Sequence, residues 1–165
     1  MQSALLTLLL FGTVVTQGFA KVAAISFEQL AQDSDVIVIA KVESTSRSPD
    51  GQQYAKAIVT EVWKGTPLKQ IEFRATPTWA CDTSAATTGE TVLLFLKKGG
   101  QPRAYAIAHS GRGRMPLQTV NGKVSASVSP DVQLPKNTST TNGSVEIATL
   151  RDLVKKVMEK KEQSR

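Results

Sequence analysis

The chain has 165 residues and a formal charge of +6, is 41% hydrophobic, and contains one cysteine and one histidine. That apolar content excludes a disordered chain, and the length suits one domain with a substantial core. A single cysteine and a single histidine exclude an internal disulfide framework, a Cys-rich zinc module and a multi-histidine metal site within one chain, and no cofactor motif is present.

Residues 1–20 carry no charged side chain, and Leu5 to Val15 is an apolar run of the length found in secretory signals. Gly18 and Ala20 supply small residues at the −3 and −1 positions of a cleavage site, and Lys21 follows as the first charge. The run is shorter than the ~20 residues of a spanning helix, so 1–20 is expected to be a cleaved export signal. The mature protein then starts near Lys21 and is secreted or periplasmic. No cysteine lies near Ala20 to take a lipid.

The expected domain, 21–128, opens with a short helix. Ser26 stands at its N-cap with Gln29 in the reciprocal position of a capping box, and Ile25 and Leu30 are spaced as a hydrophobic staple. Asp33-Ser34-Asp35 ends that helix, and Val36 to Val42 reads as a buried strand. Ser48-Pro49-Asp50-Gly51 makes a turn into a second strand, Tyr54 to Trp63. Gly65-Thr66-Pro67 turns into Gln70 to Thr76, where Ile71, Phe73 and Ala75 share one face. Residues 77–90 form a loop containing Trp79 and Cys81. Thr91 to Leu96 is continuously apolar, the pattern of a central strand covered on both faces. Arg103 to Ala108 follows Gly99-Gly100, and Val120-Asn121-Gly122-Lys123 carries the Asn-Gly pair of a tight hairpin leading into Val124 to Val128. A Ser/Thr/Asn/Pro linker spans 129–143. From about Ser144 to 165, Ile147, Leu150, Leu153, Val154, Val157 and Met158 form the apolar stripe of an amphipathic helix. Its other face carries Arg151, Lys155, Lys156, Lys160 and Lys161, interleaved with Glu159 and Glu162.

Short strands between one short and one amphipathic helix predict a mainly β fold: a small OB-like antiparallel barrel with the C-terminal helix packed on it. Closure removes exposed strand edges. The runs Phe27-Glu28-Gln29-Leu30, Ser34-Asp35-Val36-Ile37-Val38, Val62-Trp63-Lys64-Gly65 and Gly89-Glu90-Thr91-Val92-Leu93-Leu94-Phe95-Leu96 resemble exported bacterial proteins of undefined function. Their domain is similar to the OB-type barrel of netrin-like modules and tissue inhibitors of metalloproteinases. The resemblance implies that fold over most of 26–128. The zinc-chelating mechanism of those inhibitors needs a cysteine at the mature N-terminus; here Lys21 stands there and the one cysteine is Cys81.

Candidate chemistry gathers in two loops. Cys81 could act as a nucleophile with His109 and Asp82, or form an intermolecular disulfide, or be an ordinary buried thiol. His109 opens the stretch His109-Ser110-Gly111-Arg112-Gly113-Arg114, whose amides and guanidiniums suit an anion. It lacks the Gly-Lys-Ser/Thr ending of a phosphate loop. A basic groove through Arg74, Arg103, Arg112 and Arg114, with Trp63, Phe73 and Tyr105 as stacking residues, would describe a nucleic-acid binder. Export argues against that partner. The favoured expectation is a non-catalytic domain that binds another exported protein or a cell-envelope component. Loops 77–90 and 109–116 are its expected contact surfaces, with Trp79, Cys81, His109, Arg112 and Arg114 as binding residues.

Overall fold

The computed structural model describes residues 23–78, 82–99, 105–120 and 122–163. The export signal expected at 1–20 therefore lies outside the described residues, as do Trp79, Cys81 and Arg103.

The chain enters through β1 (Ile25–Ser26) and α1 (Phe27–Asp33). Ser26 Oγ accepts from the amide of Gln29 at 3.0 Å, which fixes the start of the helix. The Gln29 side chain does not return to Ser26; it reaches forward to Asp33 Oδ1 at 2.9 Å, so only half of the expected capping box forms. Ile25 and Leu30 are both buried in one apolar cluster. At the other end Ser34 Oγ donates to the Leu30 carbonyl, and Lys64 Nζ donates to those of Ala31 and Gln32, at 2.8 and 3.1 Å. A cation on these last carbonyls closes the helix.

Five strands make the barrel: β2 (Val36–Arg47), β3 (Gln53–Lys64), β4 (Gln70–Arg74), β5 (Thr91–Lys98) and β6 (Tyr105–Ile107). Their order around it is β2-β3-β4-β6-β5, with β5 returning to β2. Every seam is antiparallel except β4–β6, which is parallel. The mainly β, OB-like barrel expected from the strand pattern is thus present. Register shifts in β2 at Ile37/Val38, Ile39/Ala40 and Val42/Ser44 bend the β2–β3 pair, as closure requires.

The continuous apolar run of β5 has a direct explanation. Val92, Leu94 and Leu96 point into the barrel with Val36, Val38, Ala57, Ile71 and Phe73. Leu93 and Phe95 point outward, joining Ile37 and Ile39 beneath the helices. The outer cluster is covered by Phe27 and Leu30 of α1 and by Leu150, Val154 and Val157 of α2 (Ile147–Gln163). The expected helical cover for the central strand is therefore in place. No described helix is long and apolar enough to cross a membrane.

Two expected boundaries move. The terminal helix starts at Ile147, because Ser144–Glu146 forms a strand, β10. It pairs with β8 (Lys123–Ser127), itself paired with β7 (Arg114–Val120), and this small sheet grows from β5. The 129–143 segment is also more than a linker: it contains β9 (Val132–Gln133), which pairs in parallel with β1.

Candidate functional site

β6 and β7 pair with the same edge of β5, at Leu96↔Ile107 and Leu94↔Arg114. The chain between them, 108–113, bulges outward opposite Phe95 alone. The Phe95 amide donates to the Gly113 carbonyl and the Phe95 carbonyl accepts from Ala108, at 2.7 and 2.9 Å. Within the bulge, His109, Ser110 and Gly111 are consecutive left-handed residues, with φ of 53°, 53° and 89°. Two of these carry a Cβ, a conformation that costs energy and persists only where the surroundings enforce it.

The enforcing contacts come from the 82–90 loop. Asp82 Oδ2 accepts from the amide and hydroxyl of Thr78, both at 2.8 Å; Oδ1 accepts from the Ser84 amide at 2.8 Å and from the Ser84 hydroxyl. Burial pushes the Asp82 carboxyl up, but these bonds from Ser84 and Thr78 outweigh it and hold the group below its usual value. Asp82 is thereby a loop staple with its acceptor sites taken. Thr83 Oγ1 donates to the Gly111 carbonyl at 3.1 Å, tying the loop to the bulge. At its other end Arg114 grips Glu90 through Nε and Nη2, while Nη1 reaches the Thr83 carbonyl at 3.2 Å.

His109 turns away from this loop. Its Nε2 lies 2.8 Å from Asp33 Oδ2, the last residue of α1. Asp33 is held below its usual value, first by the bond from Gln29, with burial opposing and the bond from His109 adding to it. Arg112 goes inward: it is 7% exposed, and its Nε and Nη2 are buried with no hydrogen-bond partner among the described residues. The nearest described carboxylate, Asp131 Oδ2, is 4.0 Å from Nε, beyond hydrogen-bond range.

Several expectations change accordingly. Of 108–116 only Ser110 is exposed, so that segment is a packed support rather than the open contact surface anticipated. Arg112 and Arg114 do not line a groove with Arg74, since one is buried and the other is neutralised by Glu90. The three aromatics form no stacking platform: Phe73 fills the barrel, Tyr105 is half-buried against that interior, and Trp63 lies beneath Arg151 on the outer cluster. The proposed pairing of Cys81 with His109 and the contact role of Trp79 fall outside the described residues. Among the described residues, no three His, Cys, Asp or Glu side chains gather as metal ligands.

Asp33, Glu90 and Asp131 partner or approach the basic residues of the bulge, and none was singled out as a site residue from sequence. The available signal was charge balance: arginines in a glycine-rich bend that packs need acids from elsewhere in the chain. A separate polar groove of about 510 Å³ crosses β8 and β10, where Lys123 and Glu146 pair at 2.6 Å. It shares no lining residue with the bulge.

The sequence matches no protein-family model and no curated protein.

Proposed function

We propose that the protein is an exported, non-catalytic binding domain whose partner is another exported protein or an envelope component. The observation that carries this reading is the clamping of the 82–90 loop at both ends, by Asp82 at one and Arg114–Glu90 at the other. Between the clamps Thr83, Ala85, Thr87, Thr88 and Gly89 are exposed. A small-residue rim already held in one shape gives up little conformational entropy on docking. The polar side chains at its base are engaged with one another, which favours a structural support over a reacting centre. Catalysis by Cys81 with His109 gains no support from His109, whose Nε2 is committed to Asp33.

The test uses the full chain in an exporting host, with a photo-crosslinking residue at Thr87 and a control at exposed Lys56 on β3. The expected result is an exported product beginning at Lys21 and a discrete adduct from position 87 but not from 56, with reductant distinguishing any bond through Cys81. Retention of residues 1–20 in the cell interior, or indistinguishable crosslinking at 56 and 87, would overturn it.

A further inference from the structure

Arg112 and Arg114 are two residues apart, yet their guanidiniums are treated in opposite ways. Arg114 uses the edge formed by Nε and Nη2 to hold the two carboxylate oxygens of Glu90. Arg112 presents the same two atoms buried and without a hydrogen-bond partner among the described residues, its one ion-pair contact there being Asp131 at 4.0 Å from Nε. Folded proteins seldom leave such donors unmet, because a desolvated charge without acceptors is among the costliest arrangements in an interior. An apolar side chain of similar length would fill the space without that cost. The bulge that delivers Arg112 is itself strained, with three successive left-handed residues immediately before it.

We propose that the Nε–Nη2 edge of Arg112 is a recognition site for a carboxylate supplied from outside the chain. Arg114 shows within the same segment that this edge takes a carboxylate side-on. Asp131, 4.0 Å away and partly exposed, is the resident acid that such a ligand displaces. Asp131 adjoins β9, and its carbonyl accepts from Ile25 at 2.9 Å. Asp131 stands next to the short β1–β9 ribbon, which pairs Ile25 with Val132 and Ser26 with Gln133, and a ligand that displaces Asp131 enters from that side. The site does not depend on a partner at the 82–90 rim, because it is read on the isolated protein.

The test follows thermal unfolding and the Arg112 Nε–H resonance of the mature protein in chloride, acetate or phosphate at matched ionic strength. N-acetyl-trialanine, as free acid and as amide, is added in separate samples. Acetate and the peptide acid are expected to raise the Tm by about 3 °C or more and to shift the resonance, while the amide does neither. A larger effect of the peptide acid than of acetate identifies a polypeptide terminus as the source; equal effects identify a small free acid. Arg112→Met should abolish the response and melt at or above the wild-type temperature in chloride, and Asp131→Asn should strengthen the response. A resonance unmoved by acetate and peptide acid in both wild type and Asp131→Asn would overturn the proposal, as would a response to phosphate alone. So would equal destabilisation by Arg112→Met and Asp131→Asn without any carboxylate response, which would make Asp131 the arginine's permanent partner.

Discussion

Gly111 and Asp82 touch so closely that a Cβ at 111 would lie 2.1 Å from Asp82 Oδ1 and 2.8 Å from the Thr83 amide. Gly111 also has φ +89°, a conformation that L side chains rarely adopt. Gly111→Ala therefore combines backbone strain with a clash against a carboxylate already bound on every side. The expected cost is about 3 kcal/mol in urea unfolding. Gly122→Ala provides the contrast: it has φ +75° with nothing within 4 Å, so strain alone remains and about 1 kcal/mol is expected. Equal costs at the two sites would mean that the 82–90 loop does not press on the bulge.

The Arg114–Glu90 pair should behave as a unit. Its side chains are 10% and 16% exposed, so removing one partner strands the other in a poorly solvated place. Arg114→Met and Glu90→Gln should each cost about 3 kcal/mol. The double variant should cost distinctly less than their sum, with a coupling of about 2 kcal/mol in a double-mutant cycle. Additive losses would show that each residue acts through other contacts, such as the Glu90 bond to the Thr87 amide or the Arg114 bond to the Thr83 carbonyl.

Acid should loosen the same loop. The folded Asp82 carboxyl titrates below its ordinary value of 3.8, so the unfolded chain takes up the proton first as the pH falls. Its contribution to stability is complete above the ordinary value and disappears as the pH drops through the lower folded one. Asp82→Asn removes it at all pH values, since an amide nitrogen cannot accept from Thr78 or Ser84. The variant is expected to be less stable by about 2 kcal/mol near pH 7. The gap to wild type should narrow as the pH falls below the ordinary carboxyl value, measured as urea midpoints. A gap independent of pH would exclude the carboxylate charge as its source.

Local signals accounted for the barrel. Ser26 as the N-cap, the alternation of Ile71 and Phe73, and the apolar run Val92–Leu96 each reveal their role within a few neighbouring residues. β9 and β10 were not legible for the opposite reason. They are two and three residues long, and β9 pairs with Ile25–Ser26 at the far end of the sequence, so no periodicity could develop. The bulge was misread on similar grounds. Arginines among glycines have the local composition of a solvated bend; their placement is set by residues distant in sequence, Phe95 of β5, Glu90 and Asp131. Lys64 was visible only within the run Val62-Trp63-Lys64-Gly65, although its ammonium group closes α1 from β3.

Trp63 offers a final test of how the outer layer is held. Its ring packs against the outer apolar cluster, and the Arg151 guanidinium sits 5.6 Å from the ring centroid while pairing with Glu61 at 2.6 Å. The indole Nε1, however, is buried without an acceptor among the described residues. The residue thus contributes through area and through the face it offers to a cation, while its one polar atom opposes folding. Trp63→Phe keeps a ring and deletes the unmet donor, so it should lie within about 1 kcal/mol of wild type. Trp63→Ala leaves a void between β3 and α2 and should cost about 3 kcal/mol. Both are read from urea unfolding. A Phe variant as unstable as the Ala variant would mean that Nε1 has a bonding partner and that the indole anchors the helix by more than its packing.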